Sequence, residues 1–387
     1  MTEIALIDAA RTAHGSFLGS LADRSAVELG ATALAGLFDR TSLDATRLDW
    51  VALGNAISAG IGQVPARQVA VDAGLPEEVP ATTVNEASGS GLRAVALGAD
   101  RIAADRAEFV VAGGTESMSN APFVLSGVRR GHRHGDLTLV DSMIYDALWD
   151  VASDAHMGEL TEDLAERFDI SRQEQDEYAL ESHERAVAAV EGGAFDDEIV
   201  PVTVDGEEVR RDEGPRADTS LDRLANLRPA FRRDGTITAG NASDLGDGAS
   251  AVLLGDADAA RDAGLDPLAR VVDYAVAYRD PKWFGMSVGD AVEKLLRAND
   301  LDADDVDVFE LNEAFAAQMV YVAAELGIPR ERLNPLGGAI AFGHPIGASG
   351  GMLATTLAHA MREEGARYGV VGMSIGGGGG IAALFAR

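Results

Sequence analysis

The sequence predicts an α/β fold made of two similar halves. Residues 43–56 align with residues 301–314 at an offset of 258, and six of the fourteen positions are identical. In each copy a charged turn leads into a short apolar strand, a loop and a helix. Strands and helices continue to alternate after each copy, which is typical of helices packed on the faces of a sheet. Chance similarity explains the short segment alone equally well, so the prediction depends on the elements that follow it.

The elements that follow the repeat have the same order in both halves. In the first half they are a strand over 79–84, a helix over 91–104 and a strand over 108–112 that ends at two glycines. In the second half they are a helix over 351–364 and a strand over 368–375 that runs into a glycine run. A glycine-rich turn is expected before the second helix, as before the first. We therefore expect two α/β units packed together.

A polar stretch over about 119–247 separates the halves and has no counterpart in the repeat. It contains a helical run over 171–191 and a charged loop near 205–216. Inserted loops on α/β scaffolds often carry substrate contacts. We expect three parts, which are an N-terminal half (1–118 with 248–266), an inserted loop domain (119–247) and a C-terminal half (267–387).

The chain is strongly acidic. Lysine and arginine total 32 against 63 aspartate and glutamate residues, the net charge is −31, and Lys282 and Lys294 are the only lysines. A field of this sign repels nucleic acid and anionic membrane surfaces, so we expect neither as a partner. The acidic residues are dispersed, which favours a solvated surface over an acidic tail. Such a surface suits a salt-rich cytosol that screens the self-repulsion, and we expect a halophilic protein.

No cysteine occurs among the 387 residues, which excludes disulfide scaffolds, thiolate metal sites and thiol redox motifs. The seven histidines show no metal-ligand spacing, so we expect no metal site. Neither an apolar run of about 18 residues nor a basic signal peptide is found. Apolar residues make up 47% of the chain, enough for a large core. These features predict a cytoplasmic protein.

Two turns that precede helices carry polar side chains. Ser88 follows a predicted strand and stands near the start of the next helix, where unpaired backbone N–H groups point toward a ligand. His344 occupies the matching glycine-rich turn of the second half, where a histidine can act as a general base or a hydrogen-bond donor. A helix-capping serine and a solvent-exposed histidine are the ordinary alternatives at these positions.

Three further segments are candidate contacts of the same site. Ser374 precedes five glycines, whose backbone N–H groups can approach a substrate oxygen closely, although a flexible hairpin turn is the simpler interpretation. Asn312 either faces the site from the end of its strand or caps the next helix. His156, Met157 and Ser243 lie in the insertion and have the character of ligand contacts, although core packing is the default role of Met157.

Taken together, these stretches resemble the thiolase family, the acetyl-CoA C-acyltransferases, over essentially the whole chain. The resemblance implies a five-layer αβαβα fold with two duplicated halves and an inserted loop domain. The motifs that carry it are Arg11-Thr12 with Gly15 and Phe17, Gly62 to Gln68, Asn85 to Ala94, Gly113 to Ser119, His156-Met157-Gly158, Gly235 to Ser243, Asn312 to Ala316, Gly337 to Gly350 and the final glycine run.

The resemblance also implies catalytic roles. Ser88 stands where thiolases have their nucleophilic cysteine, and His344 matches the histidine that activates it. Ser374 stands where a second cysteine acts as acid and base at the substrate α-carbon. Asn312 matches the asparagine that positions a water in one oxyanion hole, and the N–H groups of Ser88 and Gly376 would form the other.

The remaining implied residues concern coenzyme A. His156, Met157 and Ser243 match residues that line the channel for its pantetheine arm. Coenzyme A is expected as a substrate, with no permanently bound cofactor. A homodimer or homotetramer with the N-terminal halves in contact is implied. Some archaeal thiolases that resemble this chain work beside a small OB-fold subunit, so such a partner is also expected.

Both thiolase cysteines are serines here, which suggests a haloarchaeal-like serine form of the family. A thiol with a pKa of ~8.5 is partly ionised near neutrality, whereas a serine hydroxyl needs a base within hydrogen-bond reach. His344 could be that base for Ser88. Ser374 is a poor base for a carbon acid, so His344 or another group must take the α-proton.

Three functions are consistent with these residues. The first is a β-ketothiolase, an acyl-CoA acyltransferase that cleaves 3-ketoacyl-CoA or condenses acetyl-CoA through an acyl-Ser88 intermediate. The second is another acyl-CoA enzyme on the same scaffold, either decarboxylating or hydrolytic. The third is a non-catalytic coenzyme A-binding subunit of an acyltransferase complex. The first is preferred because the other site residues of the family are present, although a fold alone does not determine a function.

Overall fold

The fold is a mixed α/β arrangement in which two similar sheet halves enclose two helices. The computed structural model describes residues 2–387. Its strands are β1 (Ile4–Arg11), β2 (Gly15–Ser16), β3 (Trp50–Gly54), β4 (Ala81–Val84), β5 (Phe109–Ser117), β6 (Phe123–Val124), β7 (Val140–Asp141), β8 (Trp149–Asp150), β9 (Ala155–His156), β10 (Val202–Val204), β11 (Glu207–Val209), β12 (Gly246–Asp256), β13 (Ala269–Tyr278), β14 (Val308–Leu311), β15 (Tyr368–Ile375) and β16 (Gly379–Ala386). Its α-helices are α1 (Ala26–Arg40), α2 (Pro65–Asp72), α3 (Ser90–Ala103), α4 (Met157–Arg167), α5 (Arg172–Gly192), α6 (Leu221–Ala225), α7 (Ala257–Asp262), α8 (Ser287–Ala298), α9 (Ala316–Leu326), α10 (Ala339–Phe342) and α11 (Ile346–Glu364).

The strand order repeats from one half to the other. The first half runs β4-β3-β5-β12-β1 and the second half runs β14-β15-β16-β13. In the first half, β5 is parallel to β3 and antiparallel to β12. In the second half, β15 is likewise parallel to β14 and antiparallel to β16. A parallel bridge between Phe309 and Leu333 occupies the place that β4 has in the first half. Residues 4–6 of β1 pair with β13, so the halves form one continuous sheet. The duplication predicted from the sequence is confirmed.

Helices α3 and α11 form the central layer between the two halves. Leu92 of α3 and Leu357 and Met361 of α11 are buried in one apolar cluster with Val252 of the first half and Val371 of the second. Helices α1 and α2 cover the outer face of the first half, and α8 and α9 cover that of the second. The order is therefore helix, sheet, helix, sheet, helix, as the family resemblance implies.

Two boundaries predicted from glycines were wrong. Helix α11 begins at Ile346 rather than at 351, and β5 continues to Ser117 rather than ending at Gly113. Glycine serves close backbone packing in these segments rather than chain reversal. A Cβ atom on Gly91 of α3 would lie 2.7 Å from the backbone nitrogen of Gly351 in α11. The glycines therefore let the N-terminal ends of the two central helices touch.

The insertion contains α4, α5 and α6 together with short hairpins. The helix predicted over 171–191 is α5, which begins with a capping box at Ser171. The charged loop predicted near 205–216 contains the turn and the second strand of the hairpin β10–β11, in which Asp205 and Gly206 both have positive φ and make a tight two-residue turn. The predicted division into three domains stays a prediction.

Membrane-spanning helices and metal-ion clusters are both absent from the described residues. Among residues 2–387, none of the helices combines the length and the apolar character that crossing a bilayer requires. In the same range, no group of three or more histidine, aspartate or glutamate side chains is arranged to hold a metal ion.

Gly91→Ala is expected to lower the free energy of unfolding by about 1–3 kcal/mol, because the added methyl group would press on the backbone of α11 in a packed core. Urea unfolding at constant KCl concentration measures the change. Gly192→Ala is the matched control, since a Cβ atom there would meet nothing within 4 Å. Equal unfolding midpoints for the two variants would contradict the close packing of α3 on α11.

Candidate active site

Ser88 and His344 are 256 residues apart in the chain, and the fold joins their side chains. The Ser88 Oγ and His344 Nε2 atoms are 2.9 Å apart. Ser88 lies in the turn before α3, where Ala87 has a left-handed φ of 53° that reverses the chain sharply. His344 lies in the corresponding turn before α11. Because α3 and α11 touch at their N-terminal ends, these two turns face each other.

The hydrogen bonds of His344 fit the tautomer that carries its proton on Nδ1. The Nδ1 atom lies 2.6 Å from Ser349 Oγ. In this tautomer Ser349 accepts from Nδ1–H, and the unprotonated Nε2 accepts from Ser88 O–H. Asn312 Nδ2 lies 3.3 Å from the same atom and donates to it as well.

The environment of His344 keeps its ring neutral. The side chain is buried, and burial lowers the pKa of the imidazole to about 4. A neutral imidazole with its lone pair toward a hydroxyl is the arrangement that a general base requires. The imidazole of His344 can therefore accept the Ser88 proton at the moment of nucleophilic attack.

Glu116 fixes the turn that carries His344. The side chain is fully buried, and its carboxylate accepts the Gly347 N–H at 2.8 Å and the Ala56 and Ile57 N–H groups at 2.9 and 3.2 Å. Burial raises the pKa of Glu116 to about 7 in spite of these hydrogen bonds. The contacts join the start of α11 to the loop after β3. Sequence reasoning missed this role, as it missed that of Ser349.

A pocket of about 390 Å³ opens in front of Ser88 and His344. This volume is within the range of small-molecule sites, and aromatic side chains supply much of its apolar wall. The predicted site residues on its wall are Ser88, His156, Met157, Ser243, His344, Ser374 and Gly376. The structure therefore brings together seven of the eight candidates that sequence reasoning selected.

His156 and Ser243 enter the pocket wall from the insertion. His156 Nδ1 accepts the Gly158 N–H at 3.1 Å and so caps α4, while its ring stacks on Phe231 with ring centroids 4.7 Å apart. Burial lowers the pKa of His156, which favours a neutral ring. The Ser243 N–H donates to the carbonyl oxygen of Ala314 at 3.0 Å. This bond joins the insertion to the loop after β14.

Two predicted oxyanion residues, Asn312 and Gly376, are not free to meet a substrate oxygen in the pocket as the structure stands. Asn312 lies outside the lining of the large pocket and lines a separate cavity of about 30 Å³. It reaches the site through His344 alone. The Gly376 N–H donates to the carbonyl oxygen of Glu86 at 3.2 Å. An oxyanion role for Gly376 therefore requires this long hydrogen bond to open when substrate binds.

Comparison with known proteins identifies the scaffold. The family models described as "Thiolase, N-terminal domain" and "Thiolase, C-terminal domain" match residues 4–258 and 265–387. The chain belongs to the thiolase family. The thiolase resemblance predicted from the sequence motifs is thereby confirmed.

Individual thiolase relatives match over their full length. An acetyl-CoA acetyltransferase of Pseudomonas aeruginosa is 50% identical over 392 residues, and one of Cupriavidus necator is 46% identical; each alignment covers 100% of both proteins. The crystal structure of the Bacillus anthracis acetyl-CoA acetyltransferase has a TM-score of 0.97 at 38% identity, covering 100% of this chain and 99% of the other. The predicted thiolase fold is confirmed.

In Glu116→Gln, where the carboxyl with a pKa of about 7 no longer titrates, the rate of a reaction that uses His344 as base is expected to stay level from neutral pH down to about pH 5 and to fall below it. The pKa of His344 is lowered to about 4, so the base form persists in acid and is lost only as the pH falls through that value. The pH dependence of kcat/KM at constant KCl concentration measures this, with circular dichroism as the check on folding. A midpoint near ~6.5, the ordinary imidazole value, would contradict the buried, neutral ring.

Proposed function

We propose that the chain is an acyl-CoA acyltransferase, a β-ketothiolase that uses Ser88 as its nucleophile and coenzyme A as a substrate. The observation that carries the proposal is the 2.9 Å hydrogen bond from Ser88 to Nε2 of the buried His344. The relatives from P. aeruginosa and C. necator are named acetyl-CoA acetyltransferases, which supports the same class of reaction. The reaction is thiolytic cleavage of a 3-ketoacyl-CoA or, in reverse, Claisen condensation of acetyl-CoA.

In the cleavage direction, Ser88 Oγ attacks the C3 carbonyl of the 3-ketoacyl-CoA while its proton passes to His344 Nε2. The tetrahedral intermediate then breaks its C2–C3 bond, leaving an acyl ester on Ser88 and the enolate of acetyl-CoA. The enolate α-carbon takes the proton from His344, and acetyl-CoA leaves. A coenzyme A thiol next gives its proton to His344 and attacks the ester, and that proton returns to Ser88.

In this mechanism His344, rather than Ser374, transfers the proton at the substrate α-carbon. A neutral hydroxyl is a poor base for a carbon acid, whereas the imidazole already faces the reacting atoms. Ser374 is then a hydrogen-bonding group beside the α-carbon. The negative charge of the intermediate would be met by the N–H groups of Ser88 and Gly376.

The large pocket suits the pantetheine arm of coenzyme A. Its volume of about 390 Å³ and its apolar wall fit a chain of methylene and amide groups. We assign His156, Met157 and Ser243 to this channel. The neutral His156 ring, held on Phe231, offers a flat contact surface without a charge that would need solvation.

A non-catalytic coenzyme A-binding subunit and a different acyl-CoA enzyme are the alternative functions. The contact of Ser88 Oγ with the buried, neutral His344 ring favours catalysis over binding alone, because a binding subunit has no need of an imidazole at a serine hydroxyl. Free acid released without added coenzyme A would instead favour a hydrolytic enzyme.

We infer that this haloarchaeal-like serine form works in a salt-rich cytoplasm as a homodimer or homotetramer. The net charge of −31 with two lysines supports the salt adaptation. Phe123, Val128, Leu137 and Leu139 supply exposed apolar surface around the β6–β7 hairpin. Such surface suits contact with another copy of the chain or with a small OB-fold partner.

Ser88→Ala is expected to reduce turnover by about 10³-fold or more, while the Kd for coenzyme A stays within about twofold. Mass spectrometry after incubation with acetoacetyl-CoA should find an acyl group on the Ser88 peptide of the wild type and none in the variant. Ser374→Ala is the matched control and should keep the acyl group.

Ser88→Cys is expected to raise the rate, because a thiolate is the better nucleophile.

Two results would contradict the acyl-serine mechanism. Equal activity of the wild type and Ser88→Ala would exclude Ser88 as nucleophile. Tight coenzyme A binding without any covalent species would favour the non-catalytic subunit.

The thermal unfolding midpoint is expected to rise by several degrees between about 0.1 M and about 2 M KCl, because salt screens the repulsion among 63 acidic side chains. Differential scanning calorimetry measures the midpoint, and sucrose at matched water activity is the control for general solute effects. A midpoint independent of KCl concentration would contradict the salt adaptation.

A further inference from the structure

A second, smaller cavity lies against the residues that hold His344. It encloses about 30 Å³ and is lined by Asn312 and Ser349, which both hydrogen-bond the imidazole, and by Glu310. A space of this size accommodates one or two water molecules when polar partners surround it. The cavity therefore lies beside Asn312 and Ser349, the two residues that contact the imidazole ring of His344.

Two buried oxygens of the cavity lining lack protein partners. Glu310 Oε1 and Asn312 Oδ1 form no hydrogen bond within residues 2–387, although the side chains are only 1% and 2% exposed. An unsatisfied buried polar group costs about 1–3 kcal/mol, so such groups normally bind protein or ordered water. The two residues are two positions apart at the end of β14, and their side chains therefore leave the same face of the strand.

The surroundings of Glu310 favour its neutral form. Burial raises the pKa of Glu310 well above its ordinary value, and the negative charges of Glu313, Glu198 and Glu364 act in the same direction. The positive charge of Arg185 opposes them more weakly. A protonated carboxyl group has an O–H donor, which a carboxylate lacks.

The basic side chains across the cavity already contact acidic partners. Arg11 binds Glu198 and Asp212, and His14 Nδ1 lies 3.0 Å from Asp212 Oδ1. Burial lowers the pKa of His14, so its ring is neutral at physiological pH. Neither group therefore supplies an ion-pair partner that would draw the proton from Glu310.

We propose that protonated Glu310 is a positioning residue that donates through buried water to Asn312 Oδ1 and so keeps the Asn312 NH₂ group toward His344 Nε2. Rotation of the amide would turn its oxygen toward the lone pair of Nε2, which is repulsive. It would also remove the donor that Asn312 offers at the reacting end of the ring. This inference rests on the proposed roles of Ser88 and His344, and Glu310 acts on them only through Asn312.

The first test does not depend on activity. A crystal structure of the wild type at a resolution that resolves ordered water is expected to place water within hydrogen-bond distance of both Glu310 and Asn312. The ¹⁵N NMR shift of His344 Nε2 should move in Glu310→Met and stay at the wild-type value in Glu310→Gln, which keeps a neutral donor. A dry cavity, or an Nε2 shift identical in all three proteins, would overturn the proposal.

The second test uses turnover. Glu310→Met is expected to lower kcat by about 10- to 100-fold with KM within about twofold, because the substrate pocket is untouched. Glu310→Gln should stay within about threefold of the wild type. In an Asn312→Ala background, Glu310→Met should change kcat by less than about twofold, since the effect passes through Asn312. Leu353→Met, in the same cavity wall, is the apolar control and should leave kcat unchanged.

The outcomes separate this inference from the proposed function. An equal loss in Glu310→Gln and Glu310→Met, or a full Glu310→Met effect in the Asn312→Ala background, would overturn the positioning role. A wild type that acylates no residue would overturn the acyl-Ser88 mechanism, while the water and NMR measurements would still decide the role of Glu310.

Discussion

The close approach of α3 and α11 at their N-terminal ends is the constraint on which the site depends. Glycines at the contact let the backbones touch, since a Cβ atom on Gly91 would lie 2.7 Å from the Gly351 nitrogen. Each helix follows a turn of the duplicated unit, so one contact brings the serine of one turn to the histidine of the other. Glu116 then fixes the second turn through the Gly347 N–H. The central layer of the fold thus also holds Ser88 and His344 in contact.

In the proposed mechanism, a serine in place of cysteine changes the chemical task of His344. A thiol can lose its proton before attack, whereas a hydroxyl must lose it during attack, so the orientation of the imidazole becomes more important than its basicity. A pKa lowered to about 4 makes the ring a weak base but makes its protonated form a strong acid. That acid readily returns its proton to an enolate carbon. In the proposed mechanism the buried imidazole therefore fits the protonation of the enolate better than the deprotonation of Ser88, and hydrogen-bond donors must stabilise the transition state of the latter step.

The sequence pointed to the contact between Ser88 and His344 because they occupy matching turns of a repeat, and repeated strands set side by side place matching turns together. It did not predict Ser349, Glu116 or Glu310. Their roles depend on single hydrogens and on contacts such as that of Glu116 with Gly347, 231 residues away. The start of α11 was misplaced because glycine is ambiguous in sequence: the same residue marks a turn or permits close packing.

The surface charge bears on substrate capture as well as on stability. Coenzyme A carries phosphate groups, so a chain with a net charge of −31 opposes its approach over the range at which charges act. The Debye length falls from about 10 Å at 0.1 M salt to about 3 Å at 1 M, which removes this long-range opposition. Contacts at hydrogen-bond distance are screened far less and still orient the ligand. An acidic thiolase and its anionic substrate are therefore compatible where salt is abundant.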